Sequence, residues 1–379
     1  MEYINRQISS QIERGAKYFP VIVVTGPRQS GKSTLCNHLF DTYKKYNLED
    51  VGLRDIVNAD PKGFLAECGD HVIIDEVQHV PQLMSYIQVA VDNDESRRFV
   101  LTGSSNFALL QSITQSLAGR AAVYHLLPLA LNEVPAYASA PTNALLFNGM
   151  YPSVITEKRP ADLFYSNYFT TYVERDVRQV KNITDISQFQ LFMRLTAGRT
   201  GSEFNASQLA NEVGVTSPTI KGWMSVLQTS YIAFLLPPYF ANINKRLTKT
   251  PKVYFYDTGL LCYLLGIENA EQLTTHPLRG AVFKNMAILE LLKERFNNAK
   301  DNNLTFYREN AGREADIVQI NGDDLSIFEV KSSATFNKSF LKNLNYLDEL
   351  LAPRVKSKTI VYDGETVRPL AVNIRQLVP

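Results

Sequence analysis

The sequence predicts an α/β protein in which a parallel sheet at the amino end is followed by a helical lid, a small helix-turn-helix module and a second α/β domain. Three observations predict this order. Up to about residue 135, short apolar runs alternate with helix-like stretches, a pattern typical of βαβ units. Residues 205–227 indicate two short helices around a glycine turn, and helix and strand patterns alternate again after residue 279. We expect domains at residues 1–196, 197–275 and 276–379.

The first apolar run, residues 21–25, leads into the sequence GPRQSGKS at residues 26–33. This sequence matches the phosphate-binding pattern GxxxxGK[ST], and a helix-like stretch follows at residues 34–40, as the pattern requires. Chance produces such a match in roughly 1% of chains of this length. Glycine at positions 26 and 31 lets the backbone approach a phosphate without a Cβ clash. The first sheet is therefore expected to be that of a P-loop NTPase.

The loop predicts a site for ATP and Mg²⁺, because its amides and the following helix N-terminus attract phosphate. Lys32 is expected to reach the β- and γ-phosphates and to take part in catalysis, and Ser33 to place its hydroxyl on Mg²⁺. The predicted nucleotide-binding residues are Gly26, Pro27, Arg28, Gln29, Ser30, Gly31, Lys32, Ser33 and Thr34.

A second motif agrees with this site. The apolar run at residues 71–74 ends in Asp75 and Glu76. A P-loop ATPase places such carboxylates beside its phosphate loop, where Asp75 would hold Mg²⁺ through water and Glu76 would polarise the attacking water. The pair favours hydrolysis over binding alone.

Four further residues are candidates for contact with the γ-phosphate. Thr102 and Ser104 stand at the polar end of a third strand-like run, and an ordinary Gly-Ser turn is the open alternative there. Arg120 and Arg175 could supply an arginine in cis or in trans, and a surface or structural ion pair is the open alternative for each.

Residues 205–227 have the spacing of a helix-turn-helix, and two apolar strands follow around the basic segment NKRLTK at residues 244–249. One interpretation is a winged helix that contacts DNA phosphates through Lys221, Lys245, Arg246 and Lys249. The other is a spacer module packed between domains. The helix that would read DNA carries little positive charge, and both interpretations stay open.

The sequence pattern of the last domain predicts a helix, three strands, a helix and a strand. This order is the layout of PD-(D/E)XK nucleases. Strand periodicity places Glu314 and Asp316 on one face, and Glu329 and Lys331 on one face. In a nuclease, Asp316 and Glu329 would hold Mg²⁺, and Lys331 would orient the attacking water. A folded scaffold that keeps these residues for structure is the alternative.

The composition limits the other possibilities. A chain of 379 residues with 45% hydrophobic residues can form two or three domains, and a net charge of +1 gives no overall basic field for nucleic acid. Three scattered cysteines without a CxxC pair favour a reducing compartment over zinc or disulfides. No stretch approaches the ~20 apolar residues of a membrane span, and no signal peptide is evident. We expect a cytoplasmic protein without a membrane partner.

Taken together, these motifs resemble those of a family of bacterial and archaeal AAA+-like ATPases that carry a C-terminal domain of unknown function. The shared segments are GPRQSGKST, IIDEVQHVP, VLTGSSN, LAGR with LPLALNE, YVERDV, KVYFYDTGL, and GREADI with FEVKSS, and they extend over nearly the whole chain. In that family the C-terminal part is similar to a winged helix followed by a PD-(D/E)XK fold. The resemblance implies ATP binding and hydrolysis, and it implies no particular substrate.

One position departs from the family. Relatives often have a glutamate in the first helix of the nuclease-like domain, where this chain has Lys284. A lysine there would place positive charge beside the metal position and weaken Mg²⁺ binding. Glu290 lies six residues further on, about 240° around the helix, and cannot replace that glutamate.

Three functional hypotheses follow. The protein could be an ATPase whose nucleotide state moves a nucleic-acid-binding or nuclease-like C-terminal module. It could be an ATP-gated nuclease. It could also be a switch that binds ATP without hydrolysis and acts on a protein partner. AAA+ relatives often form rings, so an oligomer is possible.

Overall fold

The computed structural model describes residues 3–104, 115–172, 183, 185–239, 249–309, 312–366 and 368–378. Three residues singled out above, Arg175, Lys245 and Arg246, lie outside these ranges. Within the described residues, no helix combines the length and the apolar character needed to cross a bilayer.

The amino-terminal unit contains a five-stranded sheet in which all neighbouring strands are parallel. In spatial order the strands are β2 (Lys44–Asn47), β3 (His71–Asp75), β4 (Arg98–Ser104), β1 (Val21–Gly26) and β5 (Ala121–His125). The flanking helices are α1 (Ser9–Ala16), α2 (Lys32–Leu39), α3 (Val51–Ala59), α4 (Pro61–Cys68) and α5 (Leu83–Asn93). This arrangement confirms the α/β class and the predicted parallel sheet.

Both faces of this sheet are buried, as expected for a parallel sheet covered by helices. Along β1, Val21 and Val23 enter a core with α3, α4 and α5, whereas Ile22 and Val24 enter a second core with α1 and α2. Since the strands run in one direction, their carboxyl ends meet at one edge, where the phosphate loop follows β1.

The middle of the chain is helical and ends in a small hairpin. Helices α10 and α11 meet at Gly214, which has the left-handed backbone (φ 80°) that a tight turn requires. Strands β6 and β7 then pair antiparallel. The elements are α6 (Thr142–Asn148), α7 (Pro152–Thr156), α8 (Ala161–Tyr172), α9 (Ile186–Ala197), α10 (Ala206–Val213), α11 (Ser217–Thr229), β6 (Ala233–Leu236), β7 (Lys252–Phe255) and α12 (Thr258–Leu264).

The carboxyl-terminal unit contains a mixed five-stranded sheet with the order β12-β11-β10-β9-β8. Its first three strands pair antiparallel, and β11 and β12 join parallel. The elements are α13 (Arg279–Asn297), β8 (Leu304–Arg308), β9 (Glu314–Asn321), β10 (Asp324–Lys331), α14 (Leu341–Leu351), β11 (Val355–Tyr362) and β12 (Ala371–Asn373). The predicted second α/β unit, with its order of helix, three strands, helix and strand, is confirmed.

Helix α13 joins the middle of the chain to the carboxyl-terminal sheet. Residues all around it are buried, among them Val282, Phe283 and Met286, so it behaves as an interior helix. One continuous core contains these side chains, the helices of the middle region and one face of the last sheet. The other face of that sheet packs on α14.

Candidate functional site

The phosphate loop turns sharply between β1 and α2. Gly26 and Gly31 have φ angles of 153° and 93°, which side chains with a Cβ rarely adopt. A Cβ on Gly26 would lie 2.2 Å from the carbonyl oxygen of Leu126. Both glycines of the motif are therefore required by the backbone itself.

Lys32 is buried beneath the loop. Its Nζ donates hydrogen bonds to the carbonyl oxygens of Gly26 (3.2 Å) and Pro27 (2.8 Å). Burial lowers the pKa of Lys32 to about 8, and the nearby carboxylates of Glu76 and Asp75 offset part of that effect. The ammonium group is thus poorly solvated and would gain from an anion in the loop.

The acidic pair lies at the same edge of the sheet, at the end of β3. The Thr102 hydroxyl at the end of β4 donates to Asp75 Oδ1, which also accepts from the backbone amide of Glu76 at 3.1 Å. Glu76 has a left-handed backbone, with φ 54°, and strained positions of this kind cluster at functional sites.

Gln78 is a residue of this site that the sequence analysis did not single out. Its Nε2 donates to a carboxylate oxygen of Glu76 and to the Ser104 hydroxyl at 3.1 Å. Gln78 therefore ties the candidate base to the end of β4. The signal in the sequence was a polar residue within the turn that follows the acidic pair.

These residues fit a magnesium–nucleotide complex. The loop supplies backbone amides and one ammonium group, Ser33 is only half-buried at the start of α2, and Asp75 supplies a carboxylate. The Ser30 hydroxyl is buried and has no hydrogen-bond partner among the described residues. The structure brings the loop residues 26–34, the acidic pair, Thr102 and Ser104 together at one edge.

Arg120 does not join this group. It precedes β5 at the edge where the strands begin, and the five residues of β5 separate the two edges by roughly 17 Å. Its guanidinium instead contacts Asp92, with Nε–Oδ1 at 2.5 Å and Nη2–Oδ2 at 2.8 Å. The structure corrects the suggestion of a role in cis, because Arg120 forms the surface ion pair that was the alternative.

A second cluster of charged side chains lies in the carboxyl-terminal sheet, where β9 and β10 place Asp316 beside Glu329. Asp316 Oδ2 accepts from the amide of Val330 at 2.7 Å, and Glu329 contacts Lys331 Nζ at 2.7 Å. Burial, and then the charge of Asp316, raise the pKa of Glu329 to about 7. The predicted Asp316, Glu329 and Lys331 are therefore neighbours.

Lys284 from α13 enters this cluster and donates to Asp316 Oδ1. Burial opposes the charge of Lys284, but the attraction of Asp316, Glu314 and Glu329 outweighs it and raises the lysine pKa. Glu314 forms a separate ion pair with Lys252. Among the described residues there is no group of three or more His, Cys, Asp or Glu side chains that could hold a metal. The Lys284 ammonium group lies where a metal would contact Asp316, and the metal site at Asp316 and Glu329 stays a prediction.

The helix-turn-helix segment presents few basic side chains within the described ranges. Lys221 on α11 and Lys249 before β7 are exposed. The segment between β6 and β7, which was predicted to form the wing, lies largely outside the described residues.

Family models match the chain in three consecutive segments. An AAA domain matches residues 18–135, a domain of unknown function (DUF8612) matches residues 141–271, and a second domain of unknown function (DUF4143) matches residues 279–379.

Relatives match along most of their length. The uncharacterized protein Rv2008c of Mycobacterium tuberculosis is 30% identical over 371 residues, covering 97% of this chain and 81% of that protein. The uncharacterized protein MJ1544 of Methanocaldococcus jannaschii is 20% identical over 390 residues, covering 93% of this chain and 85% of that protein. The solved structure of the Walker-type ATPase paby2304 of Pyrococcus abyssi aligns at 14% identity with a TM-score of 0.49, covering 69% of this chain and 96% of that one. The chain therefore belongs to the same family as Rv2008c, and in this chain an AAA-type P-loop domain precedes a carboxyl-terminal domain of unknown function.

Proposed function

We propose that this protein binds ATP with Mg²⁺ at residues 26–34 and hydrolyses it. The observation that carries the proposal is the meeting of the buried Lys32, the Asp75–Glu76 pair and the side chains of Thr102, Ser104 and Gln78 at one sheet edge.

Each side chain has a distinct role in this proposal. The loop amides and Lys32 hold the phosphates, and Ser33 and Asp75 would hold Mg²⁺. The ion neutralises charge on the phosphates when it is bound. Thr102 keeps Asp75 oriented, and Gln78 keeps the Glu76 carboxylate directed toward an attacking water, whose proton Glu76 accepts.

For the carboxyl-terminal half we propose a module that responds to nucleotide state and cuts no nucleic acid. Lys284 supports this, because an ammonium group already neutralises Asp316 where a nuclease would need a metal. Contact with nucleic acid through Lys221 and Lys249 and a protein partner remain alternative outputs. If Arg120 or Arg175 contacts the nucleotide of a neighbouring subunit, the protein must form an oligomer. We also propose three domains, with boundaries at 196/197 and 275/276, and a cytoplasmic location.

The test measures Mg²⁺-dependent phosphate release from ATP by the wild type, Lys32→Ala and Glu76→Gln, with and without single- and double-stranded DNA. We expect Lys32→Ala to lose nucleotide binding and Glu76→Gln to bind normally while turnover falls about 10²–10⁴-fold. Glu95→Gln changes an exposed glutamate in a turn and serves as the matched control. Wild-type release no greater than that of Lys32→Ala would refute hydrolysis, and normal binding by Glu76→Gln without any loss of turnover would refute the assigned base.

A further inference from the structure

Arg6 lies ahead of α1 and contacts the underside of the phosphate loop. Its Nη1 donates to the Ser30 carbonyl at 3.0 Å, its Nη2 to the Leu127 carbonyl at 2.7 Å, and its Nε to Glu133 at 3.1 Å. The Arg6 side chain is only 5% exposed and that of Glu133 is fully buried. One guanidinium group therefore joins the loop to residues 126–133, which we call the linking segment.

Both carboxylate oxygens of Glu133 accept hydrogen bonds. Glu133 also accepts from the backbone amides of Gln7 and Ala130, each at 2.8 Å. The rigid, planar fork of arginine makes the three contacts at once, which a lysine or an amide side chain cannot do. The Arg6–Glu133 pair fixes the position of the loop relative to the linking segment.

The bond to Ser30 also orients an amide of the site. In a trans peptide the carbonyl and the following N–H point in opposite directions. Because Arg6 holds the Ser30 carbonyl toward the protein interior, the N–H of Gly31 points to the side opposite Arg6. Amides at this position, just ahead of a helix N-terminus, are those that bind phosphate. Arg6 thus orients an amide of the phosphate loop without itself contacting a nucleotide.

The linking segment is held on its other side by α13. The backbone amide of Leu131 donates to Glu290 at 2.7 Å, and Lys293 Nζ donates to the Leu129 carbonyl at 2.7 Å and to Glu290 at 2.7 Å. Both side chains of α13 are almost fully buried. A buried ion pair adds little net stability over apolar packing of the same volume, but it fixes the register of the groups it joins.

We propose that Arg6 is a positioning residue of the nucleotide site, and that the linking segment couples nucleotide binding to α13 through Glu290 and Lys293. The inference rests on the proposed function, because it requires a nucleotide in the loop. A movement of the loop on binding displaces the Ser30 and Leu127 carbonyls together, and α13 receives that displacement through Leu129 and Leu131. Since α13 also carries Lys284, the same movement reaches the charged cluster around Asp316.

The first experiment measures the Kd for a fluorescent ADP with Mg²⁺, and the urea midpoint, for Arg6→Gln, Arg6→Lys and the control Arg159→Gln. Arg159 forms an exposed ion pair with Glu157. We expect Arg6→Gln to weaken binding about 10- to 100-fold, Arg6→Lys to recover part of that loss, and the control to match the wild type. An Arg6→Gln affinity equal to that of the wild type, once corrected for the folded fraction, would overturn the role of Arg6.

The second experiment follows amide hydrogen exchange with and without ADP and Mg²⁺ in the wild type and in the double variant Glu290→Met with Lys293→Met, which removes both side-chain links to the linking segment. In the wild type we expect nucleotide to slow exchange in the loop, the linking segment and α13. In the double variant, nucleotide should bind with unchanged Kd while the slowing in α13 is lost. Lys293→Met alone, which removes the bond to the Leu129 carbonyl and keeps Glu290 as the acceptor for the Leu131 amide, replaces the double variant if that variant unfolds, and the slowing in α13 should then fall.

The outcomes separate this inference from the proposed function. A wild type that binds nucleotide without any slowing in α13 overturns the coupling and leaves ATP binding intact. Slowing in α13 that persists in the variants also overturns it. A folded wild type that binds no nucleotide refutes the proposed function, and this inference with it.

Discussion

At the edge of the first sheet, one residue contacts the phosphate loop and another contacts the candidate base. Among the described hydrogen bonds, Lys32 Nζ donates to carbonyl oxygens of the loop, whereas Gln78 Nε2 donates to Glu76 and Ser104. Substitutions at the two positions should therefore affect different steps.

Replacing Gln78 by alanine should lower the turnover of ATP about tenfold or more and leave the nucleotide Kd unchanged. The reason is that Glu76 loses the side chain that orients its carboxylate, while the phosphate loop is untouched. Steady-state phosphate release and a binding titration on the same protein measure both quantities. Gln82→Ala is the matched control, since Gln82 is bonded to the exposed Asn58 at 2.6 Å; unchanged turnover in Gln78→Ala would contradict the assigned role.

Nucleotide affinity should depend on pH through Lys32. Burial lowers the pKa of Lys32 to about 8 in the free protein, and a bound phosphate favours the charged form and raises that pKa. Affinity is therefore full below pH 8 and falls as the pH rises through 8, by about tenfold per pH unit above it. Titrations with ADP and Mg²⁺ between pH 6.5 and 9.5 measure the slope; Lys32→Met should bind weakly without this slope, and a flat wild-type profile would contradict the prediction.

At the scale of elements, α13 makes the contacts that hold the middle of the chain to the last sheet. Asn285 on this helix is fully buried, accepts from the amide of Phe255 at 2.7 Å and donates to the carbonyl of Phe255 at 2.7 Å. One side chain thus satisfies both backbone groups at the end of β7.

Asn285→Ala should destabilise the protein by about 2–5 kcal/mol, because the buried N–H and carbonyl of Phe255 both lose their partner. Urea unfolding followed by circular dichroism measures the change. Asn298→Ala, at the exposed end of the same helix, should change the free energy of unfolding by less than about 0.5 kcal/mol. Equal effects of the two substitutions would show that the Phe255 contacts contribute nothing.

Lys284→Met should make stability depend on a divalent cation. Without the ammonium group, Asp316 and Glu329 face each other with no cation from α13, and Mn²⁺ can replace it. We expect Mn²⁺ to raise the Tm of this variant and to leave that of the wild type unchanged. The gain should disappear when Asp316→Ala is added; a wild-type Tm that rises equally with Mn²⁺ would mean that the cluster already accepts a metal.

At the scale of the whole molecule, one core extends from Leu127 to Ile374. The boundaries predicted from sequence motifs at 196/197 and 275/276 cut through that core. Isolated residues 276–379 should therefore fail to fold cooperatively, since Val282, Phe283 and Met286 would lose the helices that cover them. Residues 127–379 retain the middle helices and the last sheet, which both pack on α13, and this fragment should fold. Near-ultraviolet circular dichroism with urea unfolding compares the two fragments, and a cooperative transition in residues 276–379 would contradict this prediction.

The sequence by itself determined the features that depend on neighbours along the chain. The glycine spacing, the apolar runs and the acidic strand end predicted the parallel sheet, because secondary structure and phosphate loops are encoded locally. The same local patterns predicted the order of elements in the last unit, and the family resemblance indicated that Lys284 would place positive charge beside the expected metal position.

Only the tertiary structure decided the contacts between distant parts of the chain. Arg6 meets Ser30, Glu290 meets Leu131, and Arg120 lies at the wrong edge of the sheet for its own loop. No local pattern encodes these contacts, because the direction of each side chain depends on how helices pack on the sheet. The physical reason is that periodicity fixes the face on which a residue lies, whereas packing fixes the partner that it meets.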